Sequence, residues 1–129
     1  MYERIGDGER DPLTHRIIGC AIEVHRCLGP GLLESTYERA LRVDFQKIGL
    51  AFVRQVTVPV LYKGVVVGEY RADLIVENKV VVEIKSVDRL VGLHEAQLLA
   101  YMRVLGIPKG LLLNFNSEVL KDGIRRRVI

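Results

Sequence analysis

Residues 70–85 read YRADLIVENKVVVEIK, and the charges inside this apolar stretch restrict the fold more than any other segment. Val80, Val81, Val82 and Ile84 have the make-up of a buried strand, yet Glu83 and Lys85 interrupt it two residues apart. Strand side chains alternate faces, so Glu83 and Lys85 project the same way. Charges in such a strand are costly unless they are paired, solvated in a cleft or bound to a metal. Asp73 must reach the same face if two carboxylates are to share a cation. In an unbulged antiparallel hairpin the opposed residue numbers have a constant sum, and a shared face requires that sum to be even. A three-residue loop, Glu77-Asn78-Lys79, meets the condition and sets Asp73 opposite Glu83 and Arg71 opposite Lys85. Asn tolerates the left-handed conformation such loops need. Directly opposed Cβ atoms lie roughly 4.5–5.5 Å apart, close enough for the carboxylates to converge on one ion. A two-residue Asn78-Lys79 turn would separate them.

The 129 residues suit one domain, and 49% hydrophobic content supports a packed core. A net charge of +3 permits a nucleic-acid partner without demanding one. The spacing predicts a helix over about 14–28, capped by Thr14, then a break at Gly29-Pro30-Gly31 and a second helix over about 32–48. Strands follow at about 52–62, 65–76 and 80–86, with Lys63-Gly64 as the first turn. A third helix, about 93–105, leads to an apolar strand at 110–115, and the length of this crossover makes strands 80–86 and 110–115 parallel. Residues 124–129 read as an edge strand, where Arg125-Arg126-Arg127 either hold phosphates or form a solvated edge that blocks pairing.

Glu34, Tyr37 and Glu38 share one helix face, so their carboxylates either approach the sheet or line a solvated rim. Gln97 and Tyr101 are neighbours at i, i+4 and can point into the same cleft. Cys20 and Cys27 lie seven residues apart on the first helix, roughly 10 Å along its axis, too far to bridge. They read as reduced core residues of a cytoplasmic protein. No segment has the length and apolarity of a membrane span, and the first residues lack the pattern of a signal peptide. His15, His25 and His94 show no zinc-ligand spacing with the cysteines.

The segment GLLESTYE at 31–38 resembles the GxxExxY signature of a group of small bacterial and archaeal proteins. The resemblance continues through RADLIVENKVVVEIK, AQLLAYM and GLLLNFN, covering about residues 14–116 of a single domain spanning 1–129. That group is placed in the PD-(D/E)xK nuclease superfamily, which implies an α/β fold with a restriction-endonuclease-like αβββαβ core and a mixed sheet of four to five strands flanked by helices. By the same resemblance Asp73 is the motif aspartate, with Ala72 where proline is usual, and Glu83 and Lys85 are the Glu-x-Lys pair. Glu38 or Glu34 is the helix carboxylate. Gln97 and Tyr101 look like the Gln-x-x-x-Tyr motif of the RecB-type branch, and His25 either corresponds to the histidine that precedes the core there or is an interface residue on the helix with Val24 and Leu28.

Asp73, Glu83 and the Ile84 carbonyl form a hard-oxygen set suited to Mg²⁺ or Mn²⁺, joined by Glu38 or Glu34. Lys85 then positions a metal-activated water or stabilises developing charge. The expectation is a nuclease acting on DNA or RNA, as a monomer or homodimer and without a membrane. The alternatives are a catalytically silent nucleic-acid- or partner-binding module, a subunit of a larger nucleic-acid-processing assembly, and a buried ion-pair network that only sets strand register.

Overall fold

In the computed structural model, residues 2–3 and 11–129 are described. The elements run β1 (Tyr2–Glu3), α1 (Pro12–Leu28), α2 (Glu34–Lys47), β2 (Phe52–Tyr62), β3 (Val65–Val76), β4 (Val80–Lys85), α3 (Gly92–Leu105), β5 (Lys109–Asn114) and β6 (Ile124–Val128). They build one six-stranded mixed sheet in the order β1-β6-β5-β4-β3-β2. β4 and β5 are parallel across the α3 crossover, and the other neighbouring pairs are antiparallel.

The apolar runs of β4 and β5 are buried on both faces. Val80, Val82, Ile84, Leu111 and Leu113 pack with α1 and α2 residues such as Ile17, Ala21, Tyr37, Leu41 and Phe45. Val81 and Leu112, on the alternate positions, pack with Leu98, Tyr101 and Met102 of α3. A strand covered on both sides reads as a continuous hydrophobic run, which is why residues 80–84 stay apolar except at Glu83.

Helix α1 begins earlier than expected. Pro12 takes its first turn, where a missing N–H is harmless, and Asp11 occupies the cap position. Thr14 lies inside that turn instead of capping it, and its Oγ1 donates to Asp11 Oδ2 at 2.6 Å. Lys109 Nζ meets the same oxygen at 2.7 Å, tying the start of α1 to β5. Cys20 is buried, but Cys27 falls on the outer face of the helix and is exposed, so only the first is a core residue.

Helix α2 starts at Glu34, two residues later than the pattern suggested. Tyr37 accounts for the delay: its hydroxyl donates to Gly29 O at 2.6 Å and accepts from Leu32 N at 3.1 Å, holding the connection in a turn. Its ring is fully buried and stacks on Phe115 at 4.6 Å. β6 is also corrected: it lies between β5 and β1, with Arg126 only 2% exposed, and so is not a solvated edge. Removing the Tyr37 hydroxyl leaves the Gly29 carbonyl and the Leu32 amide without their partner. Tyr37→Phe is therefore expected to cost about 1–3 kcal/mol, read as a lower denaturation midpoint at an unchanged denaturant slope.

Candidate active site

The β3–β4 hairpin pairs Leu74 with Val82, Ile75 with Val81 and Val76 with Val80, the register a three-residue loop demands. Lys79 N donates to Val76 O at 2.9 Å, and both Glu77 (φ 54°) and Asn78 (φ 56°) are left-handed. Glu77 is held there by Ala51, whose amide donates to its carboxylate at 2.6 Å and whose carbonyl accepts from its amide at 2.9 Å. The ladder then stops one step short of Asp73 and Glu83, while β4 continues beside β5 to Lys85. Arg71 consequently does not pair with Lys85, because the outer half of β3 leaves β4 and stays with β2.

At the fork, side chains replace the ladder. Glu83 Oε2 accepts from Asp73 N at 2.7 Å, and Asp73 Oδ2 accepts from Ile84 N at 2.8 Å. Each carboxylate clips the opposite backbone. The other oxygens, Asp73 Oδ1 and Glu83 Oε1, have no protein donor among the described residues. Glu83 is 3% exposed, and burial first, then the neighbouring Asp73 charge, pushes its carboxyl up to about 8. Burial likewise raises Asp73, with Glu38 and Glu34 adding to the shift and the Ile84 amide and Lys85 opposing it.

The partner strand β2 is distorted at the same level. Arg54 pairs with Leu74 and Val56 with Ala72, but Gln55 and Asp73 between them are left out, and Gln55 is left-handed at φ 51°. The alternation of faces reverses across this pair: Phe52, Leu74 and Val76 join the α1–α2 core, whereas Val58 and Ala72 join the α3 core. A non-glycine residue in this conformation costs on the order of 1–3 kcal/mol and persists only where its surroundings hold it. Here Gln55 Nε2 donates to Glu38 Oε1 at 2.8 Å. Arg54 Nε and Arg42 Nε stand 3.3 and 3.5 Å from Glu38 Oε2. A cleft of about 650 Å³ opens alongside, lined by Glu34, Glu38, Arg42, Arg54, Asp73 and Ile84 among others.

On the α3 side, Lys85 Nζ donates to Gln97 Oε1 at 3.1 Å. Tyr101 is buried, 6.1 Å from the Tyr70 ring, and its phenol is pushed up to about 12 by burial, then by Glu83, Asp73 and Tyr70. It stays a neutral hydroxyl. Asn114 bridges both backbone groups of Val87 and so fixes the chain leaving Lys85. His25 lies away from this cluster: its Nε2 is 2.7 Å from Ser117 O, and its ring neighbours Phe115.

Asp73, Glu83, Lys85, Gln97 and Tyr101 are thus brought together. Among the described residues no three His, Cys, Asp or Glu side chains converge as a ready cluster for a metal ion. The reason is local, since Glu38 faces Gln55 and two arginines and Glu34 is exposed at the cleft rim. Two free carboxylate oxygens on a shared fork still suit a hard divalent cation. Gln55, Arg42 and Arg54 were not foreseen; a polar Arg-Gln pair at the start of an apolar strand was the available signal.

No helix among the described residues is long and apolar enough to cross a membrane. No curated protein and no solved structure matches the chain. A family model for the PD-(D/E)XK nuclease superfamily matches residues 11–127, and the six-stranded mixed sheet with its flanking helices agrees with that fold. The match covers all but the ends of the sequence, and on that basis the chain belongs to the PD-(D/E)XK nuclease superfamily.

Proposed function

We propose that this chain is a metal-dependent phosphodiesterase that cleaves DNA or RNA with a metal-activated water. The observation that carries the reading is the reciprocal clip between Asp73 and Glu83, which brings two acids together at a strand fork and leaves one oxygen of each free. Asp73, Glu83 and the Ile84 carbonyl would hold Mg²⁺ or Mn²⁺, with Glu34 on α2 as the further carboxylate, since Glu38 is engaged by Gln55, Arg42 and Arg54. The cation supplies Lewis acidity at the phosphate and a bound water of lowered pKa.

The remaining roles belong to the protein. Lys85, steadied by Gln97, orients the attacking water or meets charge developing on the phosphoryl oxygens. Tyr101, neutral across the working pH range, closes the site from the α3 side and donates without adding charge. The segment GLLESTYE supports membership of the GxxExxY group within the superfamily. A catalytically silent nucleic-acid-binding module is the second reading, favoured by the lack of a preassembled three-acid cluster among the described residues.

The test is cleavage of labelled DNA and RNA, single- and double-stranded, in Mg²⁺, Mn²⁺ or EDTA. Lys85→Ala is expected to cut turnover by roughly two to three orders of magnitude while nucleic-acid affinity changes far less. Absence of metal-dependent cleavage by the wild type on every substrate would sink the enzyme reading.

The raised carboxyls also link stability to pH. Between the ordinary 4.5 and about 8 the folded protein retains a proton on Glu83 that the unfolded chain has lost. The unfolded state then binds fewer protons, so stability falls as pH rises across that window. Metal-free protein should melt at progressively lower temperature from pH 5 to pH 8, and Glu83→Gln should flatten this slope. Mg²⁺ or Mn²⁺ should restore the loss most at pH 8, by about 2.7 kcal/mol at 100-fold over Kd, and Asp73→Ala should abolish the effect. A melting temperature indifferent to pH and to metal would contradict the site.

A further inference from the structure

The cleft beside Asp73 is lined by charges of both signs. Asp73 and Glu34 are acidic, and Arg39, Arg42 and Arg54 are basic. Glu38 sits between and is 6% exposed, with both oxygens occupied: Oε1 by Gln55 Nε2, Oε2 by the Nε atoms of Arg42 and Arg54. Arg54 is held at Nε by a hydrogen bond to Glu38 Oε2, Arg42 Nε is ion-paired with the same oxygen at 3.5 Å without a hydrogen bond, and the terminal nitrogens of both have no protein acceptor among the described residues. Two cations against one carboxylate leave the cluster positive.

We infer that Arg42 and Arg54 form a phosphate-binding subsite for the strand flanking the reacting phosphodiester, and that Glu38 and Gln55 are positioning residues for this pair. The inference rests on the phosphodiesterase reading above. A guanidinium fixed at Nε presents its two terminal nitrogens as a preset fork that matches two phosphate oxygens. Arg54, with its side chain 52% exposed, is reachable from solvent, and Arg42, at 26%, forms the inner wall. For Glu38 to coordinate a cation it would have to release Gln55 or confront the cation with two guanidinium charges at hand. The left-handed Gln55 has an evident purpose in this arrangement, since the turn it makes out of the ladder aims its amide at Glu38.

The experiment measures binding of the full chain to fluorescein-labelled oligothymidylate, with oligouridylate as the RNA arm, in EDTA across a salt series. Arg54→Ala should weaken binding several-fold and reduce the slope of log K against log salt by about one, while Arg54→Lys should keep the slope. Arg54 is half-exposed, so both variants retain the fold, and a purely structural role would not move the slope. Glu38→Gln should preserve the rise in melting temperature that Mn²⁺ produces. An unchanged affinity and slope in Arg54→Ala, no binding by the wild type, or loss of the Mn²⁺ response in Glu38→Gln with oligonucleotide binding intact would each overturn the inference. Cleavage is scored separately. A wild type that cleaves without dependence on Arg54 removes the subsite and spares the enzyme reading; one that binds through Arg54 yet never cleaves does the reverse.

Discussion

Everything at the site depends on a hydrogen-bond exchange at the point where β3 parts from β4. Backbone amides at the end of a ladder must find acceptors, and here the amides of Asp73 and Ile84 find them in Glu83 and Asp73. The exchange lets the sheet open without orphaning backbone groups. It also determines carboxylate orientation, because each acid is held by one oxygen and keeps the other free. Burial opposes the arrangement for both acids, and the Asp73 charge adds to it at Glu83, as the upward shifts of the two carboxyls record. The fork is thus an unfavourable element set beside the buried apolar runs of β4 and β5.

The same fork explains why the cleft exists. If β2 and β3 had kept their alternation through Gln55 and Asp73, the residues beyond would have stayed on the α1–α2 side. The reversal instead turns Val58 and Ala72 under α3, so the hairpin arm crosses from one core to the other. α2 covers the sheet up to the crossing, and its buried Glu38 meets Arg54 and Gln55 there. The charges of the cleft follow from this geometry: β3 brings Asp73, and α2 with β2 brings the arginines together with Glu34 and Glu38.

How much of this was legible in the sequence varies by physical cause. The Asp73–Glu83 register followed from the parity of a three-residue loop, and the parallel β4–β5 pair from crossover length, because both are set by local chain geometry. The ends of β2 and β3 and the breaks at Gly29, Lys63-Gly64 and Gly106 were readable for the same reason, whereas β1 was not foreseen. The left-handed Gln55 was not, since no turn residue marks it and its conformation is imposed by Glu38, distant in sequence. Arg126 misled because three successive arginines suggest solvent, whereas position between β5 and β1 buries it. Thr14 misled because Pro12 lets the helix begin earlier, so Asp11 takes the cap position and Thr14 falls inside the first turn.

Two kinds of unfavourable feature meet within a few residues: like-charged buried acids and a left-handed side-chain-bearing residue in a strand. Natural sequences are mostly consistent from local propensity to global packing, and departures concentrate at functional or strained positions. A network that served stability alone would be improved by apolar residues of equal size at Asp73 and Glu83, as buried ion pairs generally are. The surrounding core, from Val80 to Leu113, shows that this sheet tolerates such residues at neighbouring positions. Retention of the acids where they destabilise the metal-free fold is what a cation site requires, because the ligand then supplies the missing counter-charge. The arginines do not do so, since among the described residues neither is ion-paired with Asp73 or Glu83.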